Sequence, residues 1–246
     1  MAYLILSDIH SNLEALHAVL QDAEGHYDRI LCLGDLVGYG ADPNPVVDWV
    51  RSHATAVIRG NHDKACVGLV VLELFNGSAR TAAEWTMKEL SQENLEYLKH
   101  LPRGPLAYAA QPGEETFDLV HGSPLDEDEY LLGVNDLIPV FGELTSALTF
   151  FGHTHVQGGF LLAEGGVNRI EGLGVLALDP QHFCLINPGS VGQPRDRDPR
   201  AAYALYSPDS KTVDYRRVAY DVESAARKIR AAGLPERLAT RLYEGF

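Results

Sequence analysis

Five short apolar runs in this chain each stop at residues able to bind a metal ion: Leu-Ile-Leu-Ser-Asp8-Ile-His10, Ile-Leu-Cys-Leu-Gly-Asp35, Ala-Val-Ile-Arg-Gly-Asn61-His62-Asp63, Leu-Val-His121 and Phe-Phe-Gly-His153-Thr-His155. Runs of this length, rich in Leu, Ile, Val and Phe and ended by Gly or Ser, read as buried strands. In open α/β sheets ligands bind beyond the carboxyl ends of strands, so groups just past five strand ends can converge on one crevice. That placement would bring them together although they are spread from residue 8 to residue 155. The converging groups are carboxylate, amide and imidazole, with no thiolate. Such a set suits two borderline-hard divalent ions better than a structural zinc.

The first hundred residues read as βαβ units. Ser11 with Glu14 forms the pattern of a capping box, and Leu13, Leu16, Leu20 and Ala23 repeat at helical spacing, which puts His10 in a strand-to-helix turn. A second strand over Arg29 to Leu33 delivers Asp35. The Asp42-Pro43-Asn44-Pro45 turn opens a helix reaching about Ser52, and Ala56 to Ile58 form a third strand. Between Lys64 and Pro102 the alternation gives way to two helices, Thr81 to Leu90 and Gln92 to His100, with Ser91 as the second N-cap. This insertion, at about 64–102, either caps the crevice or packs on the sheet edge. Strand patterns follow over 117–120, 148–151, 159–162, 175–178, 183–187, 202–206 and 213–218, with a short helix at 136–146 and two closing helices at 222–232 and 235–243. Alternation and Gly, Pro and Asp turns predict antiparallel pairing among the later strands. No internal repeat or linker divides residues 1–246, which read as one domain.

With 246 residues and 46% hydrophobic composition the chain can bury a full core. Its first residues, Met-Ala-Tyr-Leu-Ile-Leu, lack the basic segment and cleavage site of a signal peptide, and no apolar stretch nears the roughly 20 residues that span a bilayer. Cys32, Cys66 and Cys184 are odd in number and far apart, so a disulfide framework is not expected. These features predict a cytoplasmic protein without a membrane partner. A homo-oligomer is compatible with them. A net charge of −14 without clustered Lys and Arg argues against extended nucleic-acid binding. Small anionic esters are not barred, because two divalent ions and an imidazolium reverse the field locally. The run Asp126-Glu127-Asp128-Glu129 reads as a solvated face, or else as a rim that repels anions. His17 and His26, on or beyond the first helix, read as ordinary surface or packing histidines, and His100 as a helix-terminus residue.

The ordered series Asp-x-His, Gly-Asp, Gly-Asn-His-Asp, a lone His and Gly-His-x-His resembles the calcineurin-like metallophosphoesterase superfamily, over about residues 3 to 195. The phrases Gly34-Asp35-Leu36-Val37-Gly38-Tyr39-Gly40 and Asn187-Pro188-Gly189-Ser190-Val191-Gly192 resemble its small bacterial and archaeal phosphodiesterase branch. The resemblance implies an α/β (α+β) fold, a four-layer αββα sandwich carrying the small helical insertion. It implies one metal held by Asp8, His10, Asp35 and His155 and another by Asp35, Asn61, His121 and His153, with Asp35 bridging and a bridging hydroxide as nucleophile. His62 would protonate the leaving oxygen or stabilise charge on the phosphorane, with Asp63 orienting its ring. Manganese is the expected metal, with iron, zinc, nickel, cobalt or magnesium as the other divalent ions to consider. Arg195 and Arg197 are candidate phosphate contacts.

Two departures narrow the class. Protein serine/threonine phosphatases and symmetric dinucleoside tetraphosphatases of the superfamily carry an arginine shortly after the bridging aspartate, where this chain has Gly38-Tyr39-Gly40. Purple acid phosphatases place a tyrosine ligand three residues after the bridge, where this chain has Gly38. The expected activity is therefore phosphodiester hydrolysis on small substrates. A phosphomonoesterase or protein serine/threonine phosphatase is the alternative, followed by a non-catalytic binding scaffold.

Overall fold

The computed structural model describes residues 1–109, 115–163 and 165–246. Two six-stranded sheets carry the chain. The first contains β1 (Tyr3–Leu6), β2 (Arg29–Cys32) and β3 (Ala56–Val57) as parallel neighbours. β11 (Ala201–Ser207), β12 (Thr212–Val218) and β9 (Gly174–Ala177) extend it antiparallel from β1. The second runs in the order β4 (Leu106–Tyr108), β5 (Phe117–Leu119), β6 (Leu148–Phe150), β10 (Phe183–Asn187), β7 (Gly158–Ala163), β8 (Gly166–Glu171). Its middle strands β5, β6 and β10 are parallel and its outer pairs antiparallel, so the antiparallel expectation fails at β10, which lies parallel to β6. Strands β4 and β8 were not legible. β8 reads Gly-Val-Asn-Arg-Ile-Glu and lies at a sheet edge, where little burial is needed to shape the pattern.

Alternation along β1 sets the layers. Tyr3 and Ile5 point between the sheets into a core with Leu31, Phe117, Phe150 and Tyr206, where Tyr3 and Phe117 meet edge to face at 5.6 Å. Leu4 and Leu6 point the other way, onto α1 (Leu13–Asp22) and α2 (Pro43–His53) through Leu16, Val19, Val46 and Val50. The outer face of the second sheet packs Phe160 and Leu185 on Leu137, Val140 and Phe141 of α6 (Val134–Gly142). Each such fully buried side chain contributes roughly 1.5–3 kcal/mol. Helices, sheet, sheet and helix make the four-layer αββα order.

The first helix begins one residue later than the capping-box pattern predicts. Ser11 is held in the left-handed region at φ 52°, so it cannot take the extended conformation of an N-cap, and Asn12 caps instead by accepting from the Ala15 amide at 3.1 Å. The Asn61-His62-Asp63 segment, read as a loop, is the start of a short helix, α3 (Asn61–Cys66). Residues 64–102 continue through a 3₁₀ turn (Leu72–Leu74), α4 (Gly77–Glu89) and α5 (Gln92–Lys99). Asn44 of α2 accepts from the Ser91 amide at 2.8 Å and from Asn94 at 3.1 Å, which fixes α5 on α2. Ala79 and Ala82 of α4 pack with α7 (Val222–Ala231) and α8 (Glu236–Glu244) around Tyr39. The segment thus packs on α2 at one end, and at the other its Val70, Phe75 and Ala79 line the cavity beside His62.

Candidate metal centre

Parallel strands from both sheets end at one crevice, so β1, β2, β3, β5 and β6 each present their terminal residues there. Asp8, His10, Asp35, His153 and His155 all sit at left-handed φ between 48° and 65°. Non-glycine residues adopt this region at a cost, and its concentration at one site points to function. All these side chains are buried.

Their donor atoms fall into two groups, each with its atoms within 4.8 Å of one another: Asp8, His10, Asp35 and His155, and Asp35, His121 and His153. Asp35 belongs to both. Its Oδ1 accepts the His62 amide at 2.8 Å, while Oδ2 has no hydrogen-bond partner and lies 3.6 Å from His10 Nε2 and 3.4 Å from His121 Nε2. Asn61 Oδ1 joins the second group, 3.2 Å from His121 Nε2.

Backbone carbonyls decide which ring nitrogens are free. His10 Nδ1 meets Val37 O at 2.9 Å, His155 Nδ1 meets Gln193 O at 2.6 Å and His121 Nδ1 meets Leu33 O at 2.8 Å. A carbonyl only accepts, so each Nδ1 carries a proton; the neutral His10 and His155 rings aim an Nε2 lone pair inward, and His121 aims its Nε2 at the Asp35 and Asn61 oxygens. His153 is turned the other way: its Nε2 donates to Asp128 O at 3.1 Å, leaving Nδ1 for the crevice. Consequently His10 Nε2 and His155 Nε2 face each other at 3.2 Å as two acceptors. The His10, His155 and His153 lone pairs converging with the Asp8 and Asp35 carboxylate oxygens fit cations, and a dinuclear divalent metal site is the arrangement they make.

Burial keeps the His10 and His155 imidazoliums disfavoured well below the ordinary histidine range, and takes His153 down to about 3. Burial raises the Asp8 carboxyl to about 7, against the pull of His121. For His121 burial disfavours the charge, yet the Asp35 carboxylate prevails and lifts it to about 10, while Asp35 itself is held well below the carboxylate range despite its burial.

His62 is caged rather than oriented by a carboxylate. Its ring lies 4.3 Å from Tyr39, 4.9 Å from His10 and 5.1 Å from Phe75 between centroids, and Nδ1 has no hydrogen-bond partner. Burial lowers its pKa to about 4. The expected Asp63 contact to the ring through Nδ1 is not made. Asp63 instead accepts the amides of Asp35 (2.8 Å), Leu36 (2.9 Å), Val37 (3.2 Å) and Gly60 (3.0 Å), which ties the second and third motif loops together. Gly38 lies under the cage at φ +89°, where a Cβ would stand 2.6 Å from His62 Nδ1, so no larger residue fits.

The loop from Asn187 to Gly192 braces the centre. Val191 and Gly192 amides donate to Ser7 O and Asp8 O, each at 3.0 Å, and Asn187 Nδ2 holds Gly152 O at 2.9 Å. The acidic run is not simply solvated. Arg59 and Lys64 grip Glu127, Lys64 also reaches Asp128 at 2.6 Å, and the Asp128 carbonyl fixes His153. Arg195 lines a cavity beside Tyr39, bonded to its Oη at 3.3 Å and to Gln193 Oε1 at 3.1 Å. Arg197 does not: its guanidinium lies over Phe246, 5.8 Å from the ring centroid. Sequence reading missed Lys64, the Asp128 carbonyl, and Tyr130, which stacks on His153 at 3.8 Å. A backbone acceptor leaves no signature in residue type, whereas a lone lysine directly after Asn61-His62-Asp63 was a usable signal.

A family model described as the calcineurin-like phosphoesterase superfamily domain matches residues 1–211. The chain is 39% identical over 246 residues to a Methanocaldococcus jannaschii protein described as uncharacterized protein MJ0912, covering 98% of this chain and 97% of that one. The crystal structure of a metallophosphoesterase from Sphaerobacter thermophilus superposes with a TM-score of 0.84 at 41% identity, covering 100% of this chain and 99% of that chain. Hypothetical protein PH1004 from Pyrococcus horikoshii OT3 shares the fold, with a TM-score of 0.80 at 21% identity over 100% of this chain and 98% of that chain. Among the described residues no helix is long and apolar enough to cross a membrane.

Proposed function

Because this chain belongs to the calcineurin-like phosphoesterase superfamily, we propose that it hydrolyses small phosphodiesters at its paired Asp/His centre. Two divalent ions bound there supply Lewis acidity and an activated water. Asp8, His10, Asp35 and His155 would hold one ion, and Asp35, Asn61, His121 and His153 the other. We propose manganese as the activating ion. The mixed nitrogen and oxygen donors also take iron, zinc, nickel or cobalt. His62 then donates a proton or hydrogen bond to the leaving oxygen, and Asp63 acts as a positioning residue through the loops it ties. Three buried free cysteines support placing the protein in the cytoplasm.

The observation that carries the diester preference is the lining of the ≈ 280 Å³ cavity over the centre. Asn61, His62, Asp128 and His153 form its floor, Tyr39, Phe75 and Tyr130 its walls, and among the described residues no Lys or Arg lines it. A monoester dianion asks for cationic donors on its terminal oxygens. A diester carries one charge and offers an apolar or aromatic substituent to those rings. With saturating manganese, bis-aryl phosphate should be cleaved with higher kcat/KM than the matching mono-aryl phosphate. A clear monoester preference would move the assignment to a phosphomonoesterase.

A further inference from the structure

A second cavity of ≈ 530 Å³ opens beside the first and shares Tyr39, Asn76 and Tyr130 with it. Its character is opposite. Arg195, Arg237 and Arg241 all line it, in a chain whose net charge is −14. Arg195 and Arg241 lie 5.7 and 6.0 Å from the centroid of the Tyr39 ring. None of the three arginines forms an ion pair with a side-chain carboxylate among the described residues, whereas Arg51, Arg59, Arg80, Arg200, Arg216, Arg217 and Arg230 all do. Arg195 Nε is buried without a partner. Burial and the neighbouring Arg195 lower Arg241 to about 10, so it still carries its charge at neutral pH in a cavity lined by two further arginines.

Helix α4 starts at the same cavity. Asn76 takes up the Ala79 amide at 3.0 Å and, through its carbonyl, the Arg80 amide at 2.9 Å. The amides of Gly77 and Ser78 are left at the cavity wall, where the helix N-terminus favours an anion. Arg241 Nε donates to Phe246 O, and the remaining guanidinium N–H groups with the two amides face no side-chain carboxylate among the described residues, which makes a site for a group with several acceptor oxygens.

We propose that the Arg195, Arg237 and Arg241 cavity binds a second, non-scissile phosphate of the substrate, so that the enzyme acts on diesters bearing another phosphate on one substituent. This deepens the phosphodiesterase reading and rests on it. The scissile diester lies over the metal centre, the intervening sugar or ring passes Tyr39 and Tyr130, and the second phosphate reaches the arginines.

The test has two arms. In the first, manganese-loaded enzyme is given the 4-nitrophenyl diester of thymidylate with and without a phosphate on the 3′-hydroxyl. The phosphorylated substrate should show a kcat/KM higher by about tenfold or more, mainly through KM, and the ratio should fall toward one in Arg237→Gln and Arg241→Gln. In the second, metal-free protein is titrated with thymidine 3′,5′-bisphosphate by calorimetry. Binding should weaken with added salt and be lost by about tenfold or more in either variant, with unchanged circular dichroism showing that both variants are folded. Arginine-dependent binding without any diester turnover sinks the phosphodiesterase reading and leaves the anion site standing. Diester turnover with a ratio near one, and binding equal in wild type and variants, overturns the site.

Discussion

The two oxygens of Asp35 are used differently. One is fixed by the His62 amide, and the other is left bare between His10 and His121. His62 therefore contributes to the centre through its backbone as well as its ring, and the two can be separated. In His62→Ala the amide still holds Asp35, so metal content should stay near wild type while turnover falls by about 10²–10⁴, the usual worth of general acid catalysis. The loss should be larger on alkyl than on nitrophenyl esters, whose leaving groups need less help. Elemental analysis alongside both assays decides the matter: an equal loss on both esters with metal missing would mark the ring as structural. Residue types in the five motifs identified every member of the two donor groups. What residue type could not show was the tautomer of each ring, because that is set by Val37, Gln193, Leu33 and Asp128 carbonyls, and any residue supplies a carbonyl.

At the scale of elements, the segment following β5 is clasped to α3. Lys64, only 5% exposed, bonds Glu127 at 3.0 Å and Asp128 at 2.6 Å, and Arg59 adds a two-point contact to Glu127. Burial opposes ionisation of Glu127, but the bonds from Arg59 and Lys64 outweigh it and hold its carboxyl below the ordinary 4.5. A depressed folded pKa gives stability that is present above the unfolded value and lost as pH falls through the folded one. Lys64→Met should thus cost about 1–3 kcal/mol at pH 7, by removing the partner of a partly buried carboxylate. Its cost should shrink at acid pH, once the pH has fallen through the depressed pKa of Glu127 and the carboxyl is protonated in both proteins. Urea titrations at the two pH values check this, and a cost independent of pH would show that Lys64 acts through packing alone. Because the same segment carries the Asp128 carbonyl to His153, the variant should also bind manganese more weakly. Helices α1, α2, α4 and α5 were legible to within a few residues, since their apolar spacing is local. The clasp was not, because a run of acids looks alike whether water or a lysine faces it.

For the whole molecule, the donors come from both sheets: Asp8, His10, Asp35 and Asn61 follow strands of the first, His121, His153 and His155 strands of the second. Metal binding therefore joins the two halves of the sandwich and must appear as stability. With free manganese about a hundredfold above its dissociation constant, one site contributes about 2.7 kcal/mol. In a chain of this size that corresponds to a rise in Tm of roughly 5–10 °C. Asp35→Asn, which alters the one residue shared by both groups, should lose most of that rise, and an undiminished rise in the variant would refute a shared carboxylate. Order and spacing of the motifs, read without coordinates, pointed to groups converging on one crevice, because strand periodicity and strand-end placement are properties of short segments, and the αββα class followed from the family resemblance those motifs carry. Tertiary structure alone decided that Asp63 ties loops instead of turning His62, that Gly38 makes room for the His62 ring, and that Arg237 and Arg241 from α8 stand beside Arg195. Those relations join residues far apart in the chain through the packing of whole helices, and no local pattern of residue types encodes which surface a helix will meet.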